Sequence, residues 1–124
     1  MGTDITGFIE VKQMDVWRSF VLIDDMPGSR DYHAFAFFFG IRNTTNIQAI
    51  AANRGLPVDA SQRTQDALLS LDFQSRTWIA WHEINESGWQ NQAFGPYWWF
   101  LLHMMELISE EYQSDNVRLV AAFG

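Results

Sequence analysis

The segment PYWWFLLHMMELISEEY, residues 96–112, constrains the fold of this chain more than any other. Its large apolar residues recur at helical spacing, so one face of a helix has to be buried. Those residues are Trp98, Leu101, Leu102, Met105 and Ile108. Pro96 suits the first position of a helix, where its missing N–H group would be unpaired anyway. We therefore predict a long aromatic helix over Pro96–Tyr112, followed by a final strand over Val117–Phe123.

Three other segments are typical of β-strands. Ile5–Gln13 and Asp15–Ile23 alternate loosely between polar and apolar residues, are rich in β-forming residues, and are joined by a short turn. A third strand is predicted over Arg76–Ile84.

Two shorter helices are predicted between these strands. Ser29 is a candidate cap for a helix over Arg30–Phe39, and Gly40 would end it. Farther along, a capping-box pattern opens a helix that runs through about Leu71. That pattern is formed by Asp59 and Gln62, and the predicted buried stripe is Ala67, Leu68 and Leu71.

The order of these elements predicts an α+β fold. The 124 residues suffice for one hydrophobic core, so we predict a single globular domain over residues 1–124. We expect an antiparallel or mixed sheet of three or four strands with about three helices packed on it. The final strand should pair beside the first, because a lone C-terminal strand needs a partner.

Charge and cysteine content exclude several functions. The net charge is −7, which opposes non-specific binding to duplex DNA. The chain has no Cys, so it cannot form disulfides or thiolate metal sites. No apolar stretch is long enough to span a bilayer, and the N-terminus lacks the pattern of a signal peptide. We therefore expect a cytoplasmic protein without membrane contact, and we predict no cofactor.

The sequence contains no established catalytic motif of the nucleophile-elbow, phosphate-loop or zinc-protease type. This absence favours a protein that binds rather than one that catalyses. An acidic pair acting through a divalent metal remains open as the alternative. The candidate residues for such a small hydrolase or nuclease are Asp4, Glu10 and Asp72.

The polar segment between Ile41 and Pro57 is the predicted binding region. It holds two of the chain's eight cations beside breaks in helical structure, in Arg42-Asn43 and Arg54-Gly55. Arginine and asparagine side chains together with loop N–H groups can bind an anion or a nucleotide. We predict that one polar site combines Arg42, Asn43, Arg54, Asp4, Asp72, Ser75 and Trp78. The competing interpretation is that both arginines pair with nearby acids such as Asp59 and Asp72.

Several short motifs follow one another along the chain. They are Asp4-Ile5, Gly40-Ile41-Arg42-Asn43, Arg54-Gly55-Leu56-Pro57 with Asp59 and Ser61, Asp72 to Trp78, and Val117 to Val120 with Phe123. In this order they resemble the pattern of a family of small uncharacterised bacterial and bacteriophage proteins. The resemblance spans nearly the whole chain and implies no catalytic residue. One departure is Gln74, which stands where the family pattern has His, and this change suits a binding role better than a catalytic one.

Three functions follow as expectations. The first is a non-enzymatic binding protein of bacteriophage type that counteracts host defence, either by sequestering a nucleotide-like ligand or by blocking a host protein. The second is the metal-dependent hydrolase or nuclease described above. The third is a structural or assembly protein. Two adjacent tryptophans cannot both face the core, so we also expect a possible homodimer through the helix that carries Trp98 and Trp99.

Overall fold

The computed structural model of the chain describes residues 2–24 and 26–124. Four strands form its sheet in the order β2-β1-β4-β3, and every neighbouring pair is antiparallel. The strands are β1 (Ile5–Gln13), β2 (Val16–Ile23), β3 (Ser75–Ala80) and β4 (Val117–Phe123). The α+β prediction is confirmed, and so is the pairing of the last strand with the first.

The helices lie on both faces of this sheet. They are α1 (Tyr32–Ala34), α2 (Gln62–Leu68), α3 (Trp81–Asn85) and α4 (Pro96–Tyr112). A π-helical turn, Phe35–Phe39, continues α1, and 3-10 turns cover Trp89–Asn91 and Ser114–Asn116. Among the described residues, no helix is both long enough and apolar enough to cross a membrane.

Helix α4 provides much of the main core, on one face of the sheet. Its predicted apolar stripe is buried, with Trp98, Leu102 and Met105 fully inaccessible to solvent. The Trp98 indole N–H donates a 2.9 Å hydrogen bond to the carbonyl oxygen of Ser29, so this large ring has no unpaired polar atom. The smaller core on the opposite face lies beneath α2 and contains Phe8, Leu68, Val120 and Ala122.

The π-helical turn explains how a run of phenylalanines is accommodated. Phe35, Phe38 and Phe39 are all buried and pack against Trp98 or Phe123. The turn ends at Gly40, whose φ of 70° lies in the left-handed region that glycine adopts without strain. The end of this helical segment is where the sequence predicted it.

The start of that segment differs from the prediction. Asp31 is the cap, because its Oδ1 accepts a 3.1 Å hydrogen bond from the backbone N–H of Ala34. Ser29 is not a helix cap, since its hydroxyl donates to the carbonyl of Met26 at 2.8 Å and closes the preceding turn. The helix therefore begins at Tyr32 rather than at Arg30.

Helix α2 also begins later and ends earlier than predicted. Ser61 is its cap, and Asp59 is not, because the Asp59 carboxylate accepts a hydrogen bond from Arg118. The helix stops at Leu68, where the Arg76 guanidinium donates to the carbonyl oxygens of Leu68 and Ser70. As a result, Leu71 is 98% exposed and the predicted buried stripe reduces to Leu68.

Strand β3 is shorter than predicted, since α3 begins at Trp81. A carboxylate oxygen of Glu83 accepts a 3.1 Å hydrogen bond from the N–H of Ala80, which favours a helix start at this position.

Candidate functional site

Arg54, a predicted ligand-binding residue, is part of a structural clamp. Its Nη1 and Nη2 atoms each donate a 2.7 Å hydrogen bond to a different oxygen of Glu83. The guanidinium lies 4.8 Å from the centroid of the Trp78 ring and also donates to the carbonyl of Ile50 at 3.0 Å. The hydrogen bonds lower the pKa of the Glu83 carboxyl and raise the pKa of the Arg54 guanidinium. The acid that pairs with Arg54 is therefore neither Asp59 nor Asp72.

Arg42 lies in a different environment. Its Nε donates a 3.0 Å hydrogen bond to the hydroxyl of Thr3, and its guanidinium stands 5.0 Å from the centroid of the Tyr32 ring. It lines a cavity of about 200 Å³ together with His33 and Thr44. The side-chain amide of Asn43 accepts a hydrogen bond from the N–H of Ile47 and donates one to its carbonyl oxygen. These two bonds fix the conformation of the loop.

The structure does not bring Arg42 and Arg54 together. Arg42 is hydrogen-bonded to Thr3, and the next residue, Asp4, forms backbone hydrogen bonds with Gly124. Arg54 contacts Trp78, which pairs with Val120. At about 3.3 Å per residue along a strand, these two anchors are separated by about 16 Å in the strand direction alone. The two guanidinium groups are therefore held at separate positions along the sheet, and the role of either arginine in binding stays a prediction.

The remaining predicted site residues lie either beside the loop that carries Arg54 or at the end of the sheet near Gly124. Ser75 is linked to Asn53 by a 3.2 Å hydrogen bond, next to the loop that carries Arg54. Asp4 forms a 2.7 Å ion pair with Arg30 at the end of the sheet where the chain terminates. The backbone of Asp72 also packs at that end, against Gly124, and its side chain is exposed.

The three carboxylates of the alternative enzyme do not form one centre. Asp4 and Glu10 are six residues apart along an extended strand, which corresponds to about 20 Å. Glu10 is completely buried, whereas Asp72 is exposed. Among residues 2–24 and 26–124, no three His, Asp or Glu side chains lie close enough to hold a metal ion.

A large cleft lies elsewhere, between β2 and the start of α2. This β2–α2 cleft has a volume of about 430 Å³. One wall is Val16 to Ser19 of β2, and the other is Asp59 to Arg63. Hydroxyl groups of Ser19, Ser61 and Thr64 join the two walls through a chain of hydrogen bonds. The cleft therefore has walls that are fixed in position.

A buried ion pair lies beneath the β2–α2 cleft. Glu10 and Arg118 face each other across β1 and β4, and Arg118 Nε donates a 2.9 Å hydrogen bond to Oε1 of Glu10. Thr64 and Ser61 donate to the other carboxylate oxygen at 2.7 and 3.0 Å. This Glu10–Arg118 pair thus fixes the start of α2 on the sheet.

The Arg118 guanidinium also contacts two residues of the cleft wall. It stacks 3.8 Å from the centroid of the Trp17 ring, and its Nη1 donates to Asp59 at 3.0 Å. Its Nη2 is buried 2.7 Å from Glu10, yet it makes no hydrogen bond of good geometry within the described residues. We interpret the short contact as an ion pair and the Nη2 protons as incompletely satisfied donors.

Positive charge is concentrated at this cleft. Arg63 lines it, Arg118 lies beneath it, and Lys12 Nζ is 5.9 Å from the Trp17 ring. Arg18 lies in the same wall, but it pairs with Val11 of the main core, so its side chain points to the opposite face of the sheet. Three of the chain's eight cations therefore gather at one cleft of a protein with a net charge of −7. The acids in the same place are Glu10 and Asp59, so the local charge is positive.

Sequence reasoning missed this cleft. Glu10 and Arg118 are 108 residues apart, and their contact depends on the register of two strands that the pattern of residues does not fix. The available signal was Arg118 within the otherwise apolar strand β4 and Glu10 between Ile9 and Val11 of β1, since buried charges are unusual unless they are paired.

Comparisons with models of protein families, with curated proteins and with solved structures find no match to this chain. The resemblance to small bacterial and bacteriophage proteins stays a prediction.

Proposed function

We propose that this chain is a non-enzymatic binding protein whose β2–α2 cleft holds a small anionic molecule of the nucleotide class. The observation that carries the proposal is the gathering of Lys12, Arg63 and Arg118, three of the eight cations, at the 430 Å³ cleft. In an acidic protein this arrangement creates a local positive potential, which attracts anions to one place.

The chemistry of the cleft suits such a ligand. Arginine side chains make planar, charge-assisted contacts with phosphate and carboxylate groups, and Arg63 is exposed at the opening. The side-chain amide of Gln62 lines the same cleft and can form a further hydrogen bond to a ligand. A volume of about 430 Å³ falls within the range of small-molecule sites.

The buried ion pair supports the same proposal through rigidity. Because the Glu10–Arg118 pair and its hydroxyl partners hold both walls, little conformational freedom is lost when a ligand enters. The competing interpretation is that the network of Glu10, Arg118 and Asp59 is purely structural and that the exposed arginines are solvated.

The biological use follows from the resemblance described above. A bacteriophage-type protein that binds a nucleotide without converting it would remove that nucleotide from a host signalling or defence reaction. Sequestration is the route that the cleft favours.

Calorimetric titration with nucleoside monophosphates, and with inorganic phosphate as the minimal anion, tests the proposal. Arg63→Glu should weaken binding by about tenfold to a hundredfold, since a charge-assisted hydrogen bond is worth about 1.5–3 kcal/mol. The matched control is Arg42→Glu, which reverses an exposed arginine outside the cleft and should leave the affinity unchanged.

Two results would contradict the proposal. Loss of binding in the Arg42 variant, with the Arg63 variant unaffected, would place the ligand at the loop first predicted from the sequence. Binding of Mg²⁺ or Mn²⁺ without nucleotide, together with nucleotide hydrolysis, would favour the metal-dependent enzyme.

A further inference from the structure

The outward face of α4 carries an apolar stripe. Phe100, Met104 and Leu107 follow one another at spacings of four and three residues, so they lie on one side of the helix. Their exposed fractions are 73%, 38% and 66%. Neither tryptophan of this helix provides such a surface, because Trp98 is buried and Trp99 packs on Trp89, Phe94 and His103. The helix therefore presents a different face from the one that the sequence suggested.

Strand β2 extends this apolar surface. An apolar groove of about 110 Å³ runs between β2 and α4, lined by Val21, Tyr97, Phe100, Leu101 and Met104 among others. On β2 itself, Val16 and Phe20 are each about half exposed, and the Phe20 ring contacts the Tyr112 ring of α4 edge-on. Leu22 pairs with Phe8 of the smaller core, so its side chain points to the other face of the sheet. Strand and helix thus form one continuous surface, which we call the β2–α4 face.

The two edge strands of the sheet differ in whether their outer backbone groups are covered. The β3 edge is covered by the loop that contains Arg54 and Gly55. The Gly55 N–H donates a 3.0 Å hydrogen bond to the carbonyl oxygen of Arg76, and the Arg54 N–H donates to the Thr77 hydroxyl. Among the described residues, the outer edge of β2 makes no backbone hydrogen bond to another element. An open edge beside exposed apolar side chains is a surface that folded proteins usually cover.

We propose that a second copy of this chain covers the β2–α4 face. Five apolar side chains of this size, which are on average about half exposed, present on the order of 500 Å² of apolar surface. A standard interface buries about 800 Å² on each partner, and in homodimers about 65% of that area is apolar, which is again on the order of 500 Å². The face therefore has the apolar area that a stable dimer needs.

The face is also complementary to itself. Two α4 helices packed antiparallel about a two-fold axis near Met104 place Leu107 of each copy opposite Phe100 and Leu101 of the other. Those two residues line the apolar groove, which has the size of one aliphatic side chain. The same contact then occurs twice, as an isologous interface requires.

The side chains, rather than the strand edges, form this interface. The register of β1 and β2 shifts between Ile9 and Glu10, which marks an irregularity beside Phe20. Such a bulge bends and twists an edge strand and disfavours regular pairing with another strand. We therefore expect no continuous eight-stranded sheet.

Charge gives the dimer a recognisable salt dependence. Each copy carries a net charge of −7, so two copies repel each other at low ionic strength. Added salt screens this repulsion while the apolar contact is retained. The dimer should therefore become tighter as salt is raised. This inference is independent of the ligand proposed for the β2–α2 cleft.

Sedimentation equilibrium of the full chain tests the proposal. The protein should be dimeric at micromolar concentration, and Leu107→Glu should raise the dissociation constant at least about tenfold. Leu71→Glu is the matched control, because Leu71 is 98% exposed outside this face and its replacement should leave the dimer intact. Circular dichroism shows whether each variant is folded.

Cross-linking provides a second readout that does not depend on disrupting the interface. The chain has no Cys, so Met104→Cys introduces one thiol close to the proposed two-fold axis. Mild oxidation should link two copies, whereas Leu71→Cys should remain monomeric on a denaturing gel. A wild-type protein that is monomeric up to millimolar concentration would overturn the proposal. So would a dimer whose dissociation constant is unchanged by Leu107→Glu.

Discussion

Glu10 and Arg118 occupy paired positions of β1 and β4, and Nε of Arg118 donates a 2.9 Å hydrogen bond to Oε1 of Glu10. Both side chains are buried beneath α2, where few charges are found unless they are paired. Their contact links three parts of the molecule: the centre of the sheet, the start of α2 and the wall of the β2–α2 cleft.

Removing one partner of this pair should be strongly destabilising. We expect Glu10→Ala to lower the free energy of unfolding by about 3–5 kcal/mol, because the Arg118 charge is left buried without its main partner. The double variant Glu10→Leu, Arg118→Met should recover much of that loss, since it removes both charges. Urea denaturation of the three proteins measures these differences. A loss below about 1 kcal/mol in Glu10→Ala would contradict the burial of an intact pair.

The pair of Arg54 and Glu83 predicts a pH dependence. The Arg54 hydrogen bonds lower the pKa of the folded Glu83 carboxyl from its ordinary value of 4.5. As the pH falls, the Glu83 carboxylate is therefore protonated in the unfolded chain before it is protonated in the folded chain. The stabilisation from the ion pair is complete above about pH 4.5 and is lost as the pH falls through the lower folded pKa.

The variant Glu83→Gln isolates this effect. The difference in unfolding free energy between wild type and Glu83→Gln should be largest at neutral pH and should shrink below about pH 4.5. Thermal unfolding monitored across this range provides the measurement, and Asp72→Asn, at an exposed carboxylate, is the control. A difference that is constant with pH would show that the clamp does not depend on the Glu83 charge.

Helix α4 offers a test of the main core. Leu102→Ala should reduce the free energy of unfolding by about 2–5 kcal/mol, because the residue is fully buried and its truncation leaves a cavity in the core. The same truncation at the exposed Leu71 should cost little. Equal losses in both variants, measured by urea denaturation, would mean that the buried face of α4 is misassigned.

Much of this fold could be predicted from the sequence because its strongest signals are local. The periodicity of α4 and the alternation in β1 depend on residues that are close in the chain, and both elements have the predicted bounds. The helix starts were harder, because Ser29 and Asp59 have the residue types of a cap but are engaged by other partners. A cap is decided by competition for hydrogen bonds, which only the tertiary structure resolves.

The candidate site was predicted less well for the same reason. Arg54 lies in a polar loop and its residue type suits an anion site, but its charge is engaged by Glu83, 29 residues away. The cleft cations were not recognised as a group, because Lys12, Arg63 and Arg118 come from three distant parts of the chain. Proximity created by strand register has no local signature in the sequence.

The acidic balance of the chain still predicts no affinity for random duplex DNA. The cations of the cleft lie in a confined concave site, whereas binding to a duplex needs cations spread along an extended surface. Mobility-shift experiments with a random duplex at low salt should show no retarded band at micromolar protein. A retarded band that disappears as salt is raised would contradict this prediction.

The most direct test of the central claim is a nuclear magnetic resonance titration of the isotope-labelled protein with a nucleoside monophosphate. We expect saturable shifts of amide signals from the two walls of the β2–α2 cleft, Val16 to Ser19 and Asp59 to Arg63. Signals near Arg42 and Arg54 should remain in place. Shifts concentrated around Arg42, Thr44 and His33, or no saturable shift with any nucleotide or with phosphate, would contradict the assignment of the cleft as the binding site.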